Sequence, residues 1–126
     1  MVSSPVGYVP QYDISGSLIM REAKTESVNA TGSGNTELVG AVSGFKIRVI
    51  GLVVTNRAAS TIAVKFQSAS SDITGSGPHV LAVDGGGWAR DAQAGAHLFE
   101  TAAGQALNVN LSGSGDVVVD VTYYEG

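Results

Sequence analysis

His79 and His97 are the only histidines in the chain. A metal centre built on either one needs further ligands close by. Neither sits in a His-x-His or His-x-x-x-His spacing, so both are expected to be structural or surface residues. Nucleophilic hydrolysis would need a serine beside a histidine and a carboxylate. Ser76 and Ser114 lie in Gly-Ser-Gly tripeptides, and no Gly-x-Ser-x-Gly elbow leads into a helix, so they are read as turn residues. The run Asp84-Gly85-Gly86-Gly87 could cradle a phosphate only between a strand and a helix N-terminus. No helical pattern follows it, and a turn is expected. Asp72, Asp84, Asp116 and Asp120 could meet calcium at strand ends, but no Asp-x-Asp-x-Asp-Gly loop organises them. Asn29-Ala30-Thr31 and Asn110-Leu111-Ser112 match the glycosylation sequon by chance in a chain with no secretory signal. The residues therefore point to no catalytic site, no cofactor and no metal.

Trp88 is the one tryptophan. It follows the glycine run and has two readings. An exposed tryptophan in a loop anchors an interface or a sugar, whereas a packed one plugs an end of a β-sandwich.

The elements that would position these residues are strands. Phe45 to Gln67, FKIRVIGLVVTNRAASTIAVKFQ, reads as two long strands joined by a short polar turn at Asn56 to Ser60. Strand side chains alternate between faces. Phe45, Ile47, Val49 and Val53 then share one face, expected to be core. Lys46, Arg48, Ile50, Leu52 and Val54 share the other, which begins polar and ends apolar. Ile50, Leu52 and Val54 accordingly need a cover: the N-terminal arm, a loop or another subunit. Gly51 in mid-strand suggests a bulge or a close backbone approach.

Residues 1–17 hold Pro5, Gly7, Pro10 and Gly16 and read as an extended arm, since proline is disfavoured inside sheets. Val6, Tyr8, Val9 and Tyr12 are interleaved along it. Such spacing suits an arm that docks on a neighbouring subunit, against the plainer reading of a floppy terminus. Residues 18–126 form the expected single sandwich domain. Ser17 to Ala30 contains good helix formers but no helical stripe, so strand or irregular structure is expected. Leu38 and Val42 mark a short strand. Val80, Leu81 and Val83 mark another, followed by a loop from Ala89 to Gly95 and short strands at His97 to Phe99, Leu107 to Leu111 and Asp116 to Tyr124. Seven or eight short strands bounded by turn residues imply an all-β antiparallel sandwich, jelly-roll-like or immunoglobulin-like.

Composition agrees. The 126 residues suit one domain, and with 44% hydrophobic and 14% charged residues the chain is not disordered by composition. A net charge of −4 with scattered lysines and arginines argues against nucleic acid. The chain has no cysteine, which removes disulfide and thiol chemistry and leans toward assembly inside a cell. The N-terminal MVSSPVGYVPQYD lacks the pattern of a signal peptide. The longest apolar run, Val49 to Val54, is too short to cross a membrane as a helix.

Two stretches carry a family resemblance. The central stretch and its continuation, FKIRVIGLVVTNRAASTIAVKFQSASSDITGSGP, and the C-terminal HLFETAAGQALNVNLSGSGDVVVDVTYYEG resemble small virion proteins of tailed bacteriophages. The distinctive run is Phe99, Thr101, Ala102, Gly104, Ala106, Leu107, Asn108, Asn110, Leu111 and Ser112. The resemblance spans residues 45 to 125 and carries no catalytic residue. It implies a non-enzymatic β-sandwich of the virion, made in the host cytoplasm. That protein would be a decoration (cement) protein on the capsid surface, partnered by the major capsid protein and by copies of itself as a homotrimer. The competing reading is a receptor- or glycan-binding jelly roll on a tail or head fibre, with a pocket around Trp88 and Tyr123 or Tyr124.

Overall fold

The computed structural model describes residues 7–12, 16–93 and 96–126, with Gln11 and Tyr12 in backbone only. Twelve strands run in chain order among them: β1 Tyr8–Tyr12, β2 Leu18–Glu22, β3 Lys24–Ala30, β4 Gly34–Val39, β5 Ile47–Asn56 and β6 Ile62–Ser68; then β7 Ser71–Asp72, β8 His79–Leu81, β9 Gly87–Asp91, β10 Phe99–Glu100, β11 Leu107–Leu111 and β12 Val117–Glu125. No helix is present among the described residues.

Two antiparallel sheets pack face to face. One has the order β10-β5-β12-β3, with β9 pairing the other half of β5. The second has the order β4-β11-β6-β7, with β8 also on β6. Taking the eight principal strands, β3-β12-β5-β9 faces β4-β11-β6-β8. Consecutive strands alternate between sheets except β6 and β8, which share one, and the last strand, β12, lies beside the first, β3, which is the jelly-roll connection. Between the sheets lies one core, in which the clean alternations expected of a half-buried strand are seen. Ile62, Val64 and Phe66 point inward from β6, Leu107, Val109 and Leu111 from β11, and Val117, Val119, Val121 and Tyr123 from β12. Phe66 stacks on Phe99 at 5.4 Å, ring centre to ring centre.

The central stretch departs from its expected form in two ways. First, it is not a hairpin. β5 and β6 belong to different sheets, and residues 57–61 carry the chain across the sandwich. Asn56 organises this crossing. Its buried side-chain amide donates to the carbonyls of Ser60 (2.9 Å) and Ala82 (3.0 Å) and accepts from the Ala58 N–H (3.0 Å). Its backbone N–H bonds the Gly86 carbonyl and its carbonyl accepts from Gly85. One asparagine thus ties the crossing to the Asp84–Gly87 turn, where Asp84 and Gly85 take positive φ.

Second, the faces of β5 exchange midway. β12 pairs Thr122 with Gly51 but Tyr123 with Val49, leaving Ile50 unmatched. Such a bulge moves every later residue to the opposite face. Ile47 and Val49 point into the core as expected, but so do Leu52 (2% exposed) and Val54 (1%), while Val53 is 44% exposed. Leu52 and Val54 need no outside cover, and Phe45 and Val53 are not core residues. Space at the bulge is tight: a Cβ on Gly51 would lie 3.1 Å from Asp91 Oδ1 and 3.4 Å from Thr122 Cβ.

Three local expectations also change. The segment from Ala89, expected as loop, belongs to β9, whose residues Gly87–Asp91 pair with Thr55–Gly51. Val80 and Val83 are exposed, and only Leu81 of that strand reaches the core. At β4 the core pair is Leu38 with Val39, and Val42 lies half-buried beyond the strand.

Candidate interaction site

β1 and β2 pair only with each other and form a two-stranded ribbon laid over the outside of the β5–β12 sheet. Its register is Tyr8↔Glu22, Val9↔Arg21, Pro10↔Met20, Gln11↔Ile19 and Tyr12↔Leu18. Within the expected arm, Tyr8–Tyr12 is therefore a strand with a partner. Pro10 is tolerated because β1 has a free edge on which no N–H is needed.

The ribbon's inner side is anchored by few contacts. Val9 is buried with Ala23 and Tyr124, and Ile50 packs half-buried against them. The Ala23 N–H bonds the Gly7 carbonyl at 2.7 Å, where the ribbon meets the sandwich. The Arg21 guanidinium lies 5.7 Å from the centre of the Phe45 ring, and that of Arg48 6.0 Å from the Tyr124 ring, both within cation–π reach. Below the ribbon, a cavity of about 350 Å³ runs between Tyr8, Val9 and Pro10 on one side and Ile50, Gly51 and Thr122 on the other.

The outer side of the ribbon is apolar and open. Tyr8 is 65% exposed, Leu18 56% and Met20 51%, and the register places them on one face, alternating with Val9, Ile19 and Arg21. Isolated exposed apolar residues are ordinary, but a contiguous row on a small protein marks an interaction surface.

Ionic groups sit beside this region. Glu100 accepts a hydrogen bond from Lys46 (2.6 Å) and lies at ion-pair distance from Arg48 Nε (3.2 Å) and His97 Nε2 (3.1 Å). The Lys46 hydrogen bond, helped by the charges of Lys46, Arg48 and His97, holds its carboxyl below the usual carboxylate range. Lys24 bonds Glu125 at 2.8 Å, and that bond raises the Lys24 amine above its ordinary value. Each ammonium or guanidinium thus has a carboxylate, so this is a structural network on a partly solvated surface.

A second place of interest lies at the other end of β5. Trp88, paired with Val54, is half-buried and packs on the core. Its ring meets Phe66 edge-on at 6.4 Å and His79 at 4.7 Å. His79, Val80, Gly86, Gly87, Trp88 and Arg90 are among the residues lining a cavity of about 540 Å³.

Of the residues singled out in the sequence, Tyr8, Val9 and Ile50 come together at the ribbon. Leu52 and Val54 are inside the sandwich, and Trp88 belongs to the second region. Val6 lies outside the described residues, and so does the side chain of Tyr12. Tyr123 and Tyr124, expected beside Trp88, lie instead in the sandwich core and under the ribbon. Leu18, Met20 and Ala23 were not singled out. Their signal was available as a second alternating segment, Leu18 to Glu22, able to pair with the arm. Ser76, weighed as a nucleophile, is buried and donates to the carbonyls of Ile73 (2.7 Å) and Phe66 (2.9 Å), which is turn chemistry. Among the described residues, no three His, Asp or Glu side chains gather as a metal site.

No family model matches the chain, and no curated protein matches it. Among solved structures, the fold is similar to a chain of the "Cyanophage Pam1 capsid asymmetric unit", with a TM-score of 0.50 over 98% of this chain and 91% of that one. Sequence identity is 17%, so the likeness is one of fold.

Proposed function

We propose that the protein is a non-enzymatic structural component of a tailed-phage virion: a decoration protein that binds the outside of the capsid shell and stabilises it. The observation that carries this reading is the ribbon. A small jelly roll with a buried core of its own has no need of an added two-stranded element. This one presents Tyr8, Leu18 and Met20 outward on an element held by few contacts. Such an element suits docking on another protein surface, where apolar and aromatic side chains supply most of the binding energy.

Two further points support it. The jelly-roll likeness to a chain of a phage capsid unit extends over nearly the whole of both chains. Lys24, Lys46 and Arg48 are neutralised by Glu125 and Glu100, and so do not form the open basic patch that nucleic acid calls for. In this reading the partner is the major capsid protein, and copies of the chain associate as a trimer around the ribbon. The test is sedimentation of the purified protein with empty phage heads, with and without Tyr8, Leu18 and Met20 changed to serine. Loss of co-sedimentation in a variant that keeps its thermal transition supports the reading. Unchanged co-sedimentation removes the ribbon as the docking element.

A further inference from the structure

The region around Trp88 has a chemistry that the shell-binding surface does not use. Two ring nitrogens, Trp88 Nε1 and His79 Nε2, are buried without a hydrogen-bond partner, and their rings lie 4.7 Å apart. Leaving one such group unsatisfied costs about 1–3 kcal/mol, and native folds do so rarely. Both rings line the same cavity of about 540 Å³, within the range of small-molecule sites. Arg90 lines it too and is exposed. It makes no ion pair among the described residues, although most of the other cations here do. Two of its lining residues, Gly86 and Gly87, have no room for a Cβ. A Cβ on Gly86 would meet the Ala82 carbonyl, and one on Gly87 would fall on the Val54 carbonyl oxygen.

We propose that this cavity is a binding site for a carboxylated sugar, a uronic or sialic acid unit. The aromatic wall takes the C–H face of a pyranose ring. Sugar hydroxyls offer both acceptors and donors, which suits an indole N–H and an imidazole nitrogen side by side. The carboxylate meets Arg90, whose planar fork binds it through two parallel bonds. Neither ring nitrogen is open to solvent in the structure, so binding includes a small turn of the Trp88 ring toward the ligand. A phosphate-rich ligand would call for several cations, and the cavity has one arginine. A protein partner would call for roughly 800 Å² on each side, far more than this recess offers. Ile50, under the ribbon, and Val54, beside Trp88, are four residues apart on one strand, roughly 13 Å. The site is therefore separate from the ribbon and does not depend on the shell-binding role.

Trp88 is the only tryptophan, so its fluorescence reports this site directly. The experiment titrates the full chain with methyl glucuronide, methyl galacturonide and N-acetylneuraminate, and with neutral methyl glucoside as control. The expected result is a saturable change with at least one acidic sugar and a weaker one with the glucoside. Arg90→Gln, an exposed change that leaves the fold intact, should weaken the acidic sugar about tenfold and leave the glucoside unaffected. His79→Phe keeps the ring contact, removes the nitrogen and should weaken both. No saturable change with any of the three acids at tens of millimolar overturns the proposal. So does equal binding of acidic and neutral sugars, or an Arg90→Gln variant that binds acids as well as the parent chain does.

Discussion

Val9 of the ribbon packs in one small cluster with Ile50, the residue that the bulge in β5 leaves without a cross-strand partner. The bulge therefore has two consequences. It turns Leu52 and Val54 into the core and leaves Ile50 alone on the outer face, where the ribbon covers it. A straight β5 would expose a run of aliphatic residues there, and the ribbon would have a different seat.

Substitutions along β5 should separate these roles. Leu52→Asp places a carboxylate in the sandwich core and should abolish the cooperative thermal transition. Ile50→Asp should cost only about 1–2 kcal/mol, because Ile50 is half-buried in a peripheral cluster. Its larger effect should be faster amide hydrogen exchange in Tyr8–Tyr12 and Leu18–Glu22, with the exchange of β6 and β11 unchanged. Equal destabilisation by the two changes would contradict the assignment of faces.

The crossing between sheets depends on the donor character of Asn56. Asn56→Asp keeps the shape but turns acceptor oxygens toward the Ser60 and Ala82 carbonyls. The expected loss is roughly 3 kcal/mol or more, read as a lowered denaturant midpoint at neutral pH and partly restored in acid as the new carboxyl protonates. A loss below about 1 kcal/mol would show that the network does not hold the crossing.

Glycines should divide by their surroundings. Gly87→Ala drives a Cβ into the Val54 carbonyl oxygen, so the β5–β9 pairing must open. That should cost at least 1–3 kcal/mol, about the range for overpacking. Gly32→Ala and Gly113→Ala meet nothing within 4 Å and need no positive φ. They should be neutral or stabilising by up to about 1 kcal/mol, through the unfolded chain. Thermal unfolding of the three variants in parallel checks the ordering.

Acid stability should carry the mark of Glu100. Its carboxyl is held below the usual carboxylate range, chiefly by the Lys46 hydrogen bond. A carboxyl lowered in the folded state contributes stability that is complete above the unfolded value and lost as the pH falls through the folded one. Glu100→Gln should therefore lower the midpoint at neutral pH and flatten the stability curve below pH 4.5. Its side chain is 29% exposed, so solvent screening keeps the effect modest. An unchanged acid limb would contradict the pairing.

Much of the sandwich is legible in the chain because its strands alternate without interruption. Ile62, Val64 and Phe66, then Leu107, Val109 and Leu111, read directly as inward positions. The β5 faces do not read this way, because one unmatched residue inverts the parity and only Gly51 hints at it. The apparent hairpin fails for a related reason. A polar five-residue connection looks the same whether it joins neighbours in one sheet or crosses between two, and only the buried bonds of Asn56 decide. The arm's apolar spacing is visible in the sequence, but its pairing with Leu18–Glu22 is a contact between segments that periodicity cannot show. The Trp88 site is hidden for the same reason: His79 and Arg90 reach it from separate strands.

The most direct measurement is electron microscopy of phage particles assembled with and without this chain. The account predicts extra jelly-roll density on the outer face of the head shell, with the Tyr8–Glu22 ribbon against capsid protein or a neighbouring copy. Density confined to a tail or fibre, or shells identical with and without the chain, would contradict it.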